Sequence, residues 1–230
     1  MEISIGSLLD GARQAVGAVA IIDVFRAFTT AAVVLANGAA RIVIVGTIEE
    51  AFALRESGIG RICMGEVHGV APDGFDFGNS PFEVSQVDFG GKTIIQRTSA
   101  GTQGIVAASA AERLYAASLV TATATARALA SAEAGRITLV AMGDSGLART
   151  DEDELCALHL RNLLEGRSGN PEAVHQLILA GGEVARFNDP GRPHLRSEDV
   201  EIALHIDRYD FAIRVGTEDG LAVARLERLG

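Results

Sequence analysis

The 230-residue sequence has no tryptophan, two cysteines, five prolines and a single lysine, Lys92. Its longest apolar runs, such as Val16 to Ile22 and Ala31 to Ala36, fall well short of the ~20 residues a bilayer span needs, which excludes a membrane protein of the helical kind. Cys63 and Cys156 stand far apart without Cys-x-x-Cys spacing or an adjacent histidine, so zinc-finger and disulfide frameworks fail. There is no Walker loop, no dinucleotide glycine pattern and no Ser-His-Asp arrangement. The first residues show no basic segment followed by an apolar stretch, so the expected location is the cytoplasm. Acidic residues number 30 against 20 basic ones, and the net charge of −10 is spread along both halves. That balance argues against a nucleic-acid partner and requires any anionic substrate to be caught locally. With one lysine, almost all positive charge is arginine, whose planar fork suits carboxylate or phosphate capture. A bias so uniform reflects genome composition, and only individual arginines carry weight.

What is present is an ordinary globular composition, 48% hydrophobic and 22% charged. Ala18 to Ile22 reads as a strand running into Asp23-Val24-Phe25-Arg26, followed by a helix over Phe28 to Asn37 that Gly38 stops. Arg41 to Val45 reads as a second strand, and Thr47-Ile48-Glu49-Glu50 has capping-box spacing for a helix closed by Gly58. Arg61 to Met64 is a third. Apolar rather than alternating strands in this β-α-β rhythm predict an α/β fold, layered α/β/α, with a largely parallel or mixed sheet covered on both faces. Gly65 to Ser80 reads as a long loop, the kind that is usually functional. Ser80-Pro81-Phe82-Glu83 then opens a short helix. Thr93 to Gln96 is a strand leading through Arg97-Thr98-Ser99-Ala100-Gly101-Thr102 into a helix reaching about Ala111. Later come a helix over Ala122 to Ser131, a strand over Ile137 to Ala141, a helix capped by Thr150, helices over Glu172 to Leu179 and Glu198 to Ile206, and a C-terminal β-hairpin turning at Asp219-Gly220. The chain reads as a single domain over residues 1–230. The likeness of the Asp23 and Arg97 units leaves open two similar lobes meeting near residues 85–92.

Ligands of open α/β sheets gather at the carboxyl ends of strands. Asp23 and Arg26, Glu66, Arg97 to Thr102, and Asp144 all fall there, which collects carboxylates, two arginines and helix N-termini at one rim. These are the groups that hold a metal ion and an oxyanion together. Each also has a plainer reading. Asp23 can be a helix cap, Arg97 to Thr102 a strand-to-helix turn, Asp151, Glu152 and Asp153 first-turn acids facing a helix dipole, and His68 a solvated loop histidine. Cys63, ending an apolar strand, reads as a buried inert thiol.

Asp23-Val24-Phe25-Arg26-Ala27, Gly65-Glu66, Gly74-Phe75-Asp76-Phe77-Gly78-Asn79-Ser80-Pro81 and Arg97-Thr98-Ser99-Ala100-Gly101-Thr102 resemble, in order, the signature blocks of the ComB-type 2-phosphosulfolactate phosphatases. The Glu152-Asp153 segment is similar too, and the likeness runs to about Ala157. Two departures are Ala100 where many members have Asn, and Phe25 where leucine is frequent. The resemblance implies a magnesium-dependent phosphatase of α/β/α fold that converts 2-phospho-3-sulfolactate to 3-sulfolactate, a step toward coenzyme M.

The resulting expectation is Mg2+-dependent hydrolysis of a small anionic phosphomonoester. Asp23 and Glu66, with Asp76 or Asp144, hold Mg2+. Asp23, Arg26, Glu66 and Arg97 are the catalytic set, and Asn79, Ser80, Thr98, Ser99, Gly101 and Thr102 contact substrate. No histidine stands near Ser99 in sequence to activate it, so water is the expected nucleophile. A homo-oligomer is compatible with the sequence. The alternatives are a non-catalytic anion-binding or regulatory module and a phosphatase for another phosphorylated hydroxy acid.

Overall fold

Residues 2–167 and 169–228 are described by a computed structural model. The chain opens with a strand and a short helix that the sequence reading lacks, β1 (Glu2–Ser7) and α1 (Leu8–Gln14). The apolar run Gly17–Ile22 forms β2, buried at every residue, and feeds α2 (Ala27–Ala36). There follow β3 (Arg41–Ile44), α3 (Ile48–Glu56) and β4 (Ile62–Gly65). The capping box is present: Thr47 Oγ1 accepts from the Glu50 amide, and the Glu50 carboxylate accepts from the Thr47 amide. After the long loop come α4 (Pro81–Val84), β5 (Thr93–Arg97) and α5 (Gly101–Ala107).

The expected continuation of α5 to about Ala111 is corrected, because Ala111–Ala117 is a strand, β6. Its alanine, glutamate and arginine are poor strand formers, but pairing with β2 on one side and burial of Tyr115, Ala116 and Ala117 override that preference. The remainder is α6 (Ala122–Ser131), β7 (Arg136–Ala141), α7 (Asp151–Leu164), α8 (Pro171–Ala180), α9 (Ser197–Ala203), β8 (Ala212–Glu218) and β9 (Leu221–Glu227). Thr150 precedes α7 as foreseen but makes no side-chain capping bond. Among the described residues no helix is long and apolar enough to cross a membrane.

The strands form one mixed sheet in the order β1-β7-β2-β6-β8-β9-β3-β5-β4, with helices on both faces. Two parallel sets, β1-β7-β2-β6 and β3-β5-β4, are joined by the β8–β9 hairpin, which pairs antiparallel with β6 and with β3. Three successive antiparallel pairings make the two sets run in opposite directions. The pairings β2 with β6 and β3 with β5 both cross residues 85–92.

On a flat sheet the carboxyl ends of β2 and β5 would lie at opposite edges, yet the Gly101 amide after β5 reaches the Asp23 carboxylate after β2 at 2.8 Å. The sheet therefore curls around α2, as the usual −20 to −25° twist per strand, accumulated over several strands, allows. Burial on all sides of α2 follows from this, since Ala27 through Leu35 are all inside. An apolar helix without a polar face is what such a position requires. One core packs α2, Val19, Ile21, Ile42, Ile94 and Ile213 together. A second packs Ile22, Ile137 and Leu139 against α6 and α7 on the opposite face.

The closeness of α5 to this core is set by Gly104, where a Cβ would stand 2.5 Å from Met142 Sδ and 2.7 Å from Ile21 Cγ2. Gly104→Ala is expected to destabilise by ~1–3 kcal/mol through overpacking. Gly216→Ala in β8, where the space is open, is expected to stay within ~0.5 kcal/mol of wild type. Urea midpoints of the two variants check this, and equal midpoints would contradict the close packing of α5.

Candidate active site

A cavity of about 210 Å³ opens where the turns after β2, β4, β5 and β7 meet. Asp23, Phe25 and Arg26 reach it from the first turn, Glu66, His68, Gly69 and Asn79 from the long loop, Ser99 and Ala100 from the third turn, and Gly143, Asp144, Ser145, Thr150 and Glu152 from the fourth. A fifth wall, Glu183, Arg186, Phe187 and Leu195, comes from the segment before α9.

Backbone amides at the turns hold carboxylates in place. Asp23 Oδ1 accepts from the Ala27 amide at 3.0 Å and Oδ2 from the Gly101 amide at 2.8 Å, so one side chain ties the starts of α2 and α5 together. Glu66 Oε1 accepts from the Ser99 amide at 2.6 Å, and Oε2 from the Gly69 amide at 2.6 Å and the Ser99 hydroxyl at 3.0 Å. Asp153, just behind the cavity, accepts from the Val24 amide at 2.7 Å and the Gly143 amide at 2.8 Å, joining the turns after β2 and β7. Such bonds stabilise ionised carboxylates, while burial and like-charge neighbours oppose them. For Asp23, burial dominates over the Ala27 bond and, with the Glu66 charge, pushes the pKa up from 3.8 to about 6. Burial first, then Glu183 and Asp23, pushes Glu152 up from 4.5 to about 7. Burial and the charges of Glu152 and Asp23 raise Asp153 as well.

The structure gathers some of the expected residues and disperses others. Asp23, Arg26, Glu66, Asn79, Ser99 and Asp144 all line the cavity. Asp76 does not, because its carboxylate is turned back to the Cys63 amide at 2.8 Å and toward Arg55 at 3.8 Å, which removes it from the candidate metal ligands. Arg97 points to carbonyls, donating to Glu66 O at 2.8 Å and Gly46 O at 3.3 Å, and so braces the loop that carries Glu66. Ser80 caps α4, accepting from the Glu83 amide and donating to Asp199. Thr98 and Thr102 are buried against each other: the Thr98 amide donates to Thr102 Oγ1 at 2.8 Å, and the Thr102 amide to Thr98 Oγ1 at 3.1 Å. The Gly101 amide is taken by Asp23. Of the amides expected to cradle an anion, those of Ser99 and Gly101 are thus occupied by the protein's own carboxylates and that of Thr102 by the Thr98 hydroxyl.

Sequence reasoning missed Glu152, His68, Arg186 and the other residues of the fifth wall. Glu152 and Asp153 read as first-turn acids facing a helix dipole, but Asp151 alone is exposed and the next two are buried. The signal that could have found them is their likeness to a family block. Arg186 Nη1 donates to Glu183 at 2.6 Å and Asp144 at 3.2 Å, closing one side of the mouth.

A Mg2+ ion fits this donor set. Among the described residues Glu152 Oε2 and Asn79 Oδ1 are buried without a hydrogen-bond partner, and both residues line the cavity with Asp23 and Glu66. Among the described residues no three Asp, Glu, His or Cys side chains form a ready-made cage. Mg2+ is usually bound by one or two carboxylates and keeps several waters, so a cage is not needed.

A family model described as 2-phosphosulpholactate phosphatase matches residues 7–189. A protein of Bacillus subtilis (strain 168) is 32% identical over 212 residues, 91% of this chain and 90% of its own length. One of Symbiobacterium thermophilum is 32% identical over 91% of this chain and 87% of its own length. In a protein of Thermotoga petrophila, 126 residues are 41% identical, 55% of this chain and 53% of that one. All three are named "Probable 2-phosphosulfolactate phosphatase". The chain belongs to the 2-phosphosulfolactate phosphatase family and is a phosphoric monoester hydrolase.

Proposed function

We propose that the cavity hydrolyses 2-phospho-3-sulfolactate to 3-sulfolactate and phosphate in a Mg2+-dependent reaction. The observation that carries the metal part is the charge of the wall. Five carboxylates, Asp23, Glu66, Asp144, Glu152 and Glu183, face two arginines and His68. Both arginines are already paired, Arg26 with Asp199 and Arg186 with Asp144 and Glu183. A small multiply charged anion would be repelled by such a wall unless a cation offsets it. Asp23, Glu66, Glu152 and Asn79 would hold Mg2+, whose chemistry when bound is to neutralise phosphoryl oxygens and polarise the phosphorus.

The chain's own residues bind and orient. Arg26, Arg186 and His68 supply donors for the carboxylate and sulfonate oxygens, and Phe25, Phe187 and Leu195 form the apolar wall beside the carbon skeleton. The Ser99 hydroxyl donates to Glu66 and accepts from the His68 amide at 3.0 Å, which fixes the loop and fits attack by water rather than by Ser99. Water adds to phosphorus, the bond from phosphorus to the C2 oxygen breaks, and that oxygen leaves with a proton.

Release of phosphate from 2-phospho-3-sulfolactate by the purified protein is expected to stop with a chelator and return with excess Mg2+. Binding without turnover would support the non-catalytic module instead. Turnover that survives chelation would refute the metal, and faster hydrolysis of another phosphorylated hydroxy acid would refute the substrate.

Asp23→Asn is expected to lower kcat/KM by a hundredfold or more, ~3 kcal/mol of transition-state stabilisation. One of the two amides now facing Asp23 would meet an NH2 group, a cost of ~1–3 kcal/mol, but relief of buried charge offsets it and the variant is expected to fold. Near wild-type turnover at saturating Mg2+ would remove Asp23 from the metal site.

Raised carboxyl pKa values bind protons more tightly in the folded state. Their contribution is therefore complete below the unfolded values near 4 and is lost as pH rises through about 6 for Asp23 and about 7 for Glu152. Metal-free protein is expected to be more stable at pH 5 than at pH 8 by on the order of a few kcal/mol, and Mg2+ at pH 8 to restore part of the difference. Urea titrations at both pH values, with and without Mg2+, check the sign.

A further inference from the structure

We propose that Asp199, on α9, is a positioning residue of the phosphoester site that acts by aiming Arg26 into the cavity. Asp199 is 0% and Arg26 4% exposed, and Arg26 Nη1 meets Asp199 Oδ2 at 2.9 Å. The other carboxylate oxygen, Oδ1, accepts from the Ser80 hydroxyl at 2.5 Å and from the Phe82 amide at 3.1 Å. Asp199 is thereby clamped to the start of α4 and in turn clamps the guanidinium. Arg26 Nη1 also donates to His194 O at 2.9 Å, and Nη2 reaches Gly69 O at 3.3 Å. One edge of the guanidinium is thus held by the segment around α9. Nε makes no hydrogen bond among the described residues, and Arg26 lines the cavity three positions after Asp23.

Stability alone is a poor account of this pair. Replacing a buried ion pair by apolar residues of similar volume is often neutral or stabilising, because desolvating both charges is costly. What the pair supplies is direction: a rotatable arginine is fixed by a charged acceptor that is itself fixed from two sides. Asp199 lies beyond the residues matched by the family model, which end at 189, so the arrangement adds the end of the chain to the site.

The inference rests on the cavity being the phosphoester site, and the test separates the two. Binding of inorganic phosphate in the presence of Mg2+ is measured by calorimetry, alongside turnover of 2-phospho-3-sulfolactate. Wild type that binds phosphate but does not turn over that ester refutes the substrate reading and leaves the coupling measurable. Asp199→Asn is expected to weaken phosphate binding about tenfold, the loss of one aligned charged hydrogen bond. Arg26→Gln is expected to do the same, and the double variant to be no weaker than Arg26→Gln alone. Losses that multiply in the double variant would make Asp199 a general structural residue and overturn the proposal, as would wild-type phosphate affinity in Asp199→Asn. Should Asp199→Asn fail to fold, Asp199→Glu keeps the charge and shifts the guanidinium by one methylene. Its phosphate affinity is expected to fall at least about fivefold with the protein folded. Wild-type affinity in Asp199→Glu would show that charge alone matters and overturn the positioning role.

Discussion

The site depends on one buried carboxylate accepting two backbone amides from two different helices. Asp23 receives the Ala27 amide from its own helix and the Gly101 amide from a helix that follows a strand of the opposite parallel set. This bond joins the carboxyl ends of strands that run in opposite directions, and the curl of the sheet around α2 is the geometry that makes it possible. Gly101 is needed at the junction, because a Cβ there would stand 2.8 Å from Asp23 Oδ2 and 2.9 Å from Ala27 Cβ. Helix starts offer free amides and a favourable dipole to any anion nearby. Here the anion is supplied by the chain.

That substitution explains which parts of the site were legible in the sequence. Asp23, Glu66 and Ser99 follow the carboxyl ends of strands, which marks them as candidates in sequence, and they do converge, but through the curl of the sheet, because β2 runs opposite to β4 and β5. Arg97, Thr98, Gly101 and Thr102 occupy the same rim in sequence, but their groups turn inward to brace carbonyls, hydroxyls and Asp23. Side-chain direction at a turn is decided by the partners the fold brings up, and a linear pattern does not contain them. His68 and Arg186 were opaque for the same reason. Neither has a distinctive spacing: His68 reaches the cavity from a loop and Arg186 from a short 3-10 helix, Glu183–Asn188, and packing sets the path of each.

The fold shows a parallel division. Features decided within a few residues were readable: the Thr47 and Glu50 capping box, the Ser80 cap with Pro81, and the Asp219-Gly220 turn, where both residues have positive φ. Features decided by distant partners were not. β6 is recognisable as a strand only from its pairing with β2 and β8, and β1 only from its register against β7. The hairpin was visible, but its place in the middle of the sheet, reversing one parallel set against the other, rests on its pairing with β6 and with β3, far away in sequence.

The concentration of acids has a consequence for how the cavity can be occupied. Each of Asp23, Glu66 and Asp153 is held by backbone amides, which fixes where its oxygens stand. Burial and mutual repulsion at the same time lift Asp23 to about 6 and Glu152 to about 7. Protons and the proposed divalent cation would therefore compete for the same oxygens near neutral pH. Under the proposed function, this wall would take up protons without the cation and release them when the cation binds. Rigidity comes from the amides, and under the proposed function charge balance would come from the cation that enters, so a net acidic protein would present a site for an anionic ester without surrounding it with lysines.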